Sequence, residues 1–116
     1  MPDYITTAHS YSSAVRAGDF IFLGLHRAGG TDFASQLIGT MAGLEKTLGR
    51  LGRPLASLVQ VRVHLRHIGD LAVMEKLFAP YFDKDRYPAR MTTTTEFHDA
   101  DCLVMIEGIA TARDGL

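Results

Sequence analysis

The sequence is poor in the residues that link or stiffen small folds. It has one cysteine, no tryptophan and four prolines among 116 residues, so no internal disulfide can form. A chain of this length buries enough surface to fold without a disulfide or a metal. It also lacks any run near the roughly 18 apolar residues of a membrane span, and its start lacks the basic and apolar regions of a signal peptide. We therefore expect a cytoplasmic protein with no membrane partner.

Neither sign of charge dominates the sequence. Twelve Lys and Arg stand against 13 Asp and Glu, which gives a formal net charge of −1 with histidine neutral. This balance argues against a nucleic-acid partner, because nucleic-acid binders usually carry a basic excess. Hydrophobic residues at 47% and charged residues at 22% exclude wholesale disorder. With no linker, repeat or low-complexity tract, residues 1–116 are predicted to form one domain.

Two stretches have the period of an amphipathic helix. The first follows a predicted N-cap at Thr31-Asp32, and Gly52 ends it. The second begins at Asp70 and runs to about Asp83, with a kink or an early end at Pro80. One face of the first helix carries the apolar residues Phe33, Leu37, Met41, Leu44, Leu48 and Leu51.

The remaining apolar segments have the patterns of strands. Alternation from Val59 to Leu65 predicts a half-buried strand, whereas 20–25 and 102–112 are apolar on both faces. Residues 4–7 and 90–97 are weaker strand candidates. The order is three strands, a helix, a strand, a helix and two strands, which predicts an α+β domain with a largely antiparallel sheet. The predicted buried side of the alternating strand comprises Val59, Val61, Val63 and Leu65.

Strands that are apolar on both faces favour assembly of several copies. Phe20 and Phe22 point to one side of their strand. Ile21 and Leu23 point to the other side. Two helices cover only one face of such a sheet, and an uncovered apolar face on the order of several hundred Å² is unusual in a monomer. We expect the second face to be buried against other copies of the chain.

The histidines and the cysteine do not form a metal or nucleophile motif. His64 and His67 are three residues apart, a spacing that sends them to opposite faces of a strand, so no metal site is expected. Cys102 opens a predicted strand beside Asp101 and has no cationic neighbour to lower its pKa. We expect it to be a small buried apolar residue. The other histidines are expected at strand ends or turns; they are His9, His26 and His98.

The segment Tyr87–Arg90 places an arginine at the start of a strand. Pro88 ends the connection after the second helix, so the guanidinium of Arg90 is held at the margin of the sheet. A planar set of donors on a rigid strand suits a carboxylate ligand. The alternative is a solvated arginine that pairs with Asp85 or Asp99, and the spacing alone leaves both interpretations open.

Glu107 is the one acid inside the apolar run from Cys102 to Ala112. A carboxylate in such a strand is costly unless it is paired or hydrated. Two interpretations remain open at this point. Glu107 is either a general base with a raised pKa or the structural partner of an arginine.

Three motifs occur in one order along the chain. They are Tyr-Ser-Ser-Ala-Val at 11–15, Pro-Ala-Arg at 88–90 and Ile-Glu-Gly-Ile-Ala at 106–110, with Ala-Gly-Asp-Phe at 17–20 between the first two. Together they resemble the reactive intermediate deaminase family, also called the RidA or YjgF family, and the resemblance covers nearly the whole chain.

The resemblance implies a fold, an assembly and an activity. The fold is the chorismate-mutase-like α+β fold of the bacillus type, with two helices packed on one face of the sheet. The assembly is a homotrimer with a central β-barrel and clefts between subunits. The activity is hydrolysis of small enamine or imine acids, of the 2-aminoacrylate type, to keto acid and ammonia. No cofactor and no metal are implied, and the partner is a small imine or keto acid.

The resemblance also implies roles for single residues. Arg90 matches the family arginine that holds the substrate carboxylate. Tyr11 matches the tyrosine that lines the cleft, and Gly24 the backbone beside the ligand. Thr92 matches the position that offers main-chain groups two residues after the arginine.

The chain departs from the family pattern at the position of an acid. Fifteen residues after its arginine the family usually has a glutamate that positions water, and here this residue is Met105. Glu107 matches a second acid, but two residues along a strand displace a carboxylate by about 6.6 Å. Leu23-Gly24-Leu25 stands where the family commonly has Ser-Gly-Gln, so Met105 lines a more apolar cleft.

Two functions follow from these residues. The first is a 2-iminobutanoate/2-iminopropanoate deaminase-like hydrolase, in which Arg90 binds the carboxylate and Glu107, or a water held by backbone groups, replaces the missing acid. The second is a non-catalytic trimeric binder of small carboxylates or keto acids, which Met105 and Leu25 favour. Ribonuclease action has also been attached to this family, and the near-neutral charge argues against it here.

Overall fold

Six strands and two helices make up the structure, a computed structural model that describes residues 2–116. Their order along the chain is the predicted one, and the predicted α+β class is confirmed. The strands are β1 Asp3–Thr6, β2 Ser12–Ala17, β3 Phe20–His26, β4 Leu58–Leu65, β5 Ala89–Thr94 and β6 Val104–Thr111; the helices are α1 Phe33–Arg50 and α2 Leu71–Phe78.

All six strands join one sheet in the order β1-β2-β3-β6-β4-β5. Strands β4 and β5 are parallel, because α2 crosses between them, and every other pair is antiparallel. The prediction of a largely antiparallel sheet is therefore confirmed. Strand β6 comes last in sequence and lies in the middle of the sheet, while β5 forms one edge.

Helix α1 begins and ends where its residues predict. The side chain of Asp32 accepts a hydrogen bond from the backbone N of Ser35, which lowers the pKa of Asp32. At the other end Gly52 adopts a φ of 73°, and Arg53 N donates to Leu48 O, a pairing that terminates helices. Five of the six predicted apolar positions are buried, and Leu51 is half-buried. No helix among residues 2–116 is long and apolar enough to cross a membrane.

Helix α2 is shorter than its apolar pattern. It ends at Phe78, and a 3-10 turn over Ala79–Tyr81 follows it. Pro80 has no backbone N–H to continue the α-helical bonding, so the predicted early end is confirmed and the helix does not reach Asp83.

The prediction that Val59 is buried is wrong, and a β-bulge is the reason. Strand β4 pairs with β6 through Leu58 and then Gln60, while the partner strand advances by one residue. The extra residue shifts the alternation, so Leu58 is buried and Val59 is 44% exposed. Beyond the bulge the alternation is as predicted, with Val61, Val63 and Leu65 buried.

Strand β6 begins at Val104 rather than at Cys102. Cys102 lies in the connection before the strand, and its backbone N donates to Asp99 O within a turn. Its side chain is fully buried, as expected of a small apolar residue. Within β6 buried residues alternate with half-buried ones from Val104 to Thr111.

The two faces of the sheet differ in their cover. Both helices pack on the same face of the sheet, which we call the helix face. The opposite face carries no helix, and we call it the open face. Phe22 stands on the open face in a row of paired residues with Tyr4, Val15 and Ile109. Phe22 remains 48% exposed within residues 2–116. The predicted two-sided apolar strands are therefore present.

Candidate functional site

Three of the predicted site residues meet in one cleft on the open face. This cleft has a volume of about 380 Å³, and we call it the Met105 cleft. The predicted residues in it are Tyr11, Gly24 and Met105. Its complete lining is Tyr11, Ser12, Gly24, Leu25, Arg27 and Met105.

Gly24 allows two strands to approach closely beside the Met105 cleft. A Cβ at this position would lie 2.9 Å from the carbonyl oxygen of Ser12 on β2, too near for any side chain. A bulge in β3 between Leu23 and His26 accompanies this approach. Within the bulge Leu25 is exposed at the cleft, and at its end His26 turns towards α1.

His26 fixes the backbone of the bulge. Its Nδ1 lies 2.7 Å from Gly24 O and its Nε2 lies 2.9 Å from Thr47 Oγ1 on α1. Burial lowers the pKa of His26, although the bond to Gly24 opposes that effect. The ring is therefore neutral near pH 7, with Nδ1–H donating to Gly24 and Nε2 accepting from Thr47, a tautomer assigned from its partners. The sequence places His26 at a strand end, as observed, but not against Thr47.

Arg27 adds a cation to the rim of the Met105 cleft, and the sequence patterns do not single it out. Its guanidinium pairs with Asp99 and lies 3.8 Å from Asp101. Both aspartates belong to the connection before β6, far away in sequence. Their two negative charges offset the guanidinium, so the rim is not a strongly cationic anion site.

The connection that carries these aspartates is held in place by buried and half-buried polar side chains. Gln36 of α1 is buried, and its Nε2 donates to Asp101 O at 2.8 Å while its Oε1 accepts from Leu103 N at 2.8 Å. Arg66 donates from Nε to Cys102 O at 2.8 Å and from Nη2 to Asp99 O at 2.7 Å. These bonds fix the wall against which Arg27 rests.

Arg90 lies in a second cleft, at the β5 edge of the sheet. This cleft has a volume of about 330 Å³, and we call it the edge cleft. Arg90 pairs with Glu75 of α2, so the predicted alternative partners, Asp85 and Asp99, are wrong. The reason is the crossover, since α2 lies against the strand that follows it. The edge cleft is lined by Glu75, Phe78, Ala79, Tyr87, Pro88 and Arg90.

The guanidinium of Arg90 lies over an aromatic ring of helix α2. Its carbon Cζ lies 5.5 Å from the centre of the Phe78 ring, a distance at which a cation is attracted to an aromatic face. Arg90 pairs with Val61 on the neighbouring strand β4, and Val61 is fully buried under the helices. Paired residues point to the same side of a sheet, so the side chain of Arg90 projects from the helix face. The predicted position at the sheet margin is therefore confirmed.

Thr92 follows Arg90 on the same side of β5. It pairs with Val63 and is half-buried. Because β5 is an edge strand, its outer backbone N–H and C=O groups have no neighbouring strand. Main-chain groups are thus available at this edge, as its expected role requires.

One chain does not bring the two clefts together. Met105 pairs with His64 on β4, and His64 pairs with Thr93, three residues beyond Arg90. The Cα atoms of Met105 and Arg90 are two strand spacings of about 4.8 Å apart across the sheet and three residues of about 3.3 Å apart along it. These perpendicular displacements combine to a separation of about 14 Å. The two side chains also project from opposite faces of the sheet, Met105 from the open face and Arg90 from the helix face. No small acid can touch both residues of the same copy.

Glu107 stands on the open face among side chains of β4. Its Oε1 lies 3.7 Å from Nη1 of Arg62, and its Oε2 lies 3.4 Å from Nε2 of His64. The other ring nitrogen of His64 bonds Thr93 Oγ1 at 2.7 Å. Glu107 thus has an arginine partner, in line with one of the two interpretations, and it does not line the Met105 cleft.

The arrangement of possible metal ligands differs from the predicted one. His64 is on β4, but His67 lies beyond the end of that strand, so the argument from opposite strand faces does not apply to it. Among residues 2–116 no three His, Cys, Asp or Glu side chains are grouped so as to hold a metal ion.

Known proteins similar to this chain share its whole fold. A family described as Endoribonuclease L-PSP matches residues 1–112. The structure is similar to a member of the YjgF protein family from Neisseria meningitidis, with a TM-score of 0.92 and 28% identity over 99% of this chain and 98% of that one. It is also similar to a yjgF family member from Streptococcus pyogenes M1 GAS, with a TM-score of 0.86 and 29% identity over 95% of each chain.

A curated relative is similar over most of the sequence. The chain is 29% identical over 108 residues to a RutC family protein of Pyrococcus horikoshii, a match that covers 86% of this chain and 85% of the relative. The family match over residues 1–112 includes the residues of both clefts.

Proposed function

The chain belongs to the Endoribonuclease L-PSP family, which includes the YjgF and RidA proteins, and on this premise we propose that it hydrolyses small reactive imine acids to keto acids and ammonia. Membership confirms the resemblance found in the sequence. The observation that carries the proposed activity is Arg90, a guanidinium fixed by an aromatic ring at the mouth of an open cleft. Such a group suits the carboxylate that every 2-imino acid carries.

The proposed site lies between copies of the chain. Because Arg90 and the Met105 cleft are about 14 Å apart on opposite faces, a shared ligand needs Arg90 of one copy and the cleft of another. The uncovered apolar face supplies a reason for copies to associate. We propose a homotrimer in which the open faces form a central β-barrel and each edge cleft meets the Met105 cleft of a neighbour.

In this site the chain's own groups bind and orient the substrate. Arg90 pairs with the carboxylate, Thr92 offers main-chain groups beside it, and Tyr11 and Gly24 of the neighbouring copy line the opposite wall. Water adds to the carbon of the protonated C=N bond, and one of its protons passes to nitrogen, which gives a carbinolamine with an NH3+ group. The C–N bond then breaks, the hydroxyl proton passes to nitrogen, and keto acid and ammonium leave. This sequence of steps needs no cofactor.

The acid that positions water has no counterpart at position 105. Glu107 is on the same face, but Arg62 and His64 share its carboxylate. Glu107 also lies outside the Met105 cleft, so the water is held by backbone groups such as those at Gly24. Loss of one such group typically costs about a hundredfold to a thousandfold in rate, so we expect slow turnover rather than none.

A second function has its own supporting observation. Leu25 and Met105 give the Met105 cleft an apolar wall without an acid. A trimer with this wall and with Arg90 is suited to bind a small carboxylate or keto acid without converting it. Both functions need the arginine, and only the first needs turnover.

A coupled assay tests the proposal. Threonine dehydratase generates 2-iminobutanoate, and keto acid formation is followed with and without this protein. We expect acceleration by the wild type and loss of at least about a hundredfold in Arg90→Ala. Arg113→Ala is the matched control, because Arg113 is exposed and pairs with Asp19. No acceleration, together with binding of 2-oxobutanoate that depends on Arg90, would favour the binder.

A further inference from the structure

The edge cleft contains one cation and one anion side by side. Glu75 on α2 bonds Nη2 of Arg90 through Oε2, and the side chain of Glu75 is 58% exposed while that of Arg90 is 26% exposed. The pair is therefore open to the cleft and not enclosed by protein. A purely structural pair at this edge would not need a cavity beside both of its charges.

Both members of the pair retain hydrogen-bonding capacity. Across residues 2–116, Glu75 is the one hydrogen-bond partner of the Arg90 guanidinium, and Arg90 is the one partner of Glu75. A guanidinium has five N–H donors, so most of them remain for a ligand carboxylate. The carboxylate of Glu75 has acceptor positions on both oxygens and can still accept from a ligand N–H.

The two charges match those of a protonated imino acid. Such a molecule has a carboxylate on one carbon and a C=NH2+ group on the next, so its opposite charges are as close together as those of the protein pair. The keto acid that hydrolysis produces keeps the carboxylate and loses the cation. It would bring a lone negative charge against Glu75.

The walls of the edge cleft suit the rest of such a ligand. The Phe78 ring lies beside the guanidinium, and Tyr87 and Pro88 add apolar surface to the lining of the cleft. An aliphatic side chain on the imino acid would lie against this surface, while both charged groups face the ion pair.

From these observations, and resting on the proposed function above, we propose that Glu75 is a substrate-binding residue: the Arg90–Glu75 pair recognises the zwitterionic imino acid, with Arg90 on its carboxylate and Glu75 on its protonated nitrogen. The pair thereby discriminates substrate from product. Glu75 also holds the nitrogen, so that the adjacent carbon keeps one orientation towards water.

Binding of two molecules of nearly equal size tests the assignment. L-2-aminobutanoate carries the carboxylate and a protonated nitrogen, and 2-oxobutanoate carries the carboxylate alone. Calorimetry on the assembled protein gives the Kd of each. We expect the wild type to bind the amino acid about tenfold more tightly than the keto acid. The factor is modest because the binding free energy of an exposed charge-assisted hydrogen bond lies at the low end of the range for such bonds. In Glu75→Gln the Kd of the amino acid rises about tenfold, and the Kd of the keto acid stays the same or falls.

The control and the contradicting results are distinct. Glu45→Gln removes an exposed acid from α1 and should leave both Kd values unchanged. If Glu75→Gln lowers both Kd values equally, Glu75 only competes with the ligands for Arg90. If it changes neither Kd, Glu75 does not contact the ligand. Either result overturns the assignment.

The proposed function fails separately. In that case the coupled assay shows no turnover and neither ligand depends on Arg90, which also overturns the assignment of Glu75. Turnover that depends on Arg90, together with an unchanged ratio of the two Kd values in Glu75→Gln, overturns the role of Glu75 alone.

Discussion

Met105 and Arg90 project from opposite faces of one sheet, with strand β4 between the strands that carry them. The proposed function assigns both residues to one substrate site, yet their Cα atoms lie about 14 Å apart. Two copies must therefore share each site if both residues serve one ligand. Under the proposed function, turnover therefore requires assembly, and the predictions below test turnover and assembly by different measurements.

Restoring an acid at position 105 is expected to raise turnover. Met105→Glu places a carboxylate in the Met105 cleft, where it can accept a proton from the attacking water. We expect an increase of about a hundredfold in kcat for 2-iminobutanoate in the coupled assay. Met105→Gln has the same shape without the charge and should not reproduce the gain. An equal gain in both variants would mean that polarity, and not the acid, is the missing property.

An acid on the open face is expected to separate the copies. Phe22 stands in the apolar row with Val15 and Ile109, so Phe22→Asp buries a charge in the proposed barrel. Sedimentation should find a trimer for the wild type and a monomer for the variant. Ile38→Asp is the control, because Ile38 is 51% exposed on α1, away from that face. A monomeric wild type, or a trimeric Phe22→Asp, contradicts the assembly.

A methyl group at Gly108 is expected to destabilise the centre of the sheet. A Cβ there would lie 2.6 Å from the carbonyl oxygen of Gln60, on the neighbouring strand β4. We expect Gly108→Ala to lose about 2 kcal/mol or more of unfolding free energy in denaturant titrations at one fixed concentration. Gly49→Ala, in α1 with free space around it, should gain up to about 1 kcal/mol. Equal effects at both positions would refute the steric argument.

Acidification is expected to destabilise the fold through His26. Burial holds its pKa below the ordinary 6.5, so as the pH falls the unfolded chain binds a proton at this ring before the folded one does. The contribution of His26 to stability is therefore constant above about pH 6.5 and decreases below it, by at most about 1.4 kcal/mol per pH unit, until the folded ring is protonated. Urea titrations should give a shallower pH dependence of stability for His26→Gln than for the wild type, and equal slopes in the two proteins would contradict the role of His26.

Most of the fold was predictable because local patterns determine it. The cap at Asp32 and the stop at Gly52 bounded α1. Alternating apolar residues identified β4, and runs that are apolar on both faces identified β3 and β6. Val59 was mispredicted because a bulge changes which side a residue faces without changing the sequence pattern. Bulges arise from pairing between distant strands, and one sequence read locally does not contain that pairing.

The site was predictable only where a motif marked it. Motif matching placed Tyr11, Gly24 and Met105, and the structure brings these three into one cleft. Glu75 and Arg27 escaped notice because their significance depends on neighbours distant in sequence. Glu75 lies on a helix face with the spacing of any solvated acid, and only the crossover of α2 brings it to Arg90.

The position of β6 has a consequence for synthesis on the ribosome. Strands β1 to β3 emerge first and β4 with β5 follow, but the strand that joins these two groups emerges last. Until β6 emerges, β3 and β4 each expose an edge of unpaired backbone groups. Nascent chains on neighbouring ribosomes of the same mRNA can pair with these edges. Completion of the sheet is thus a single late event, and a chaperone that covers these edges would act before Val104–Thr111 has left the exit tunnel.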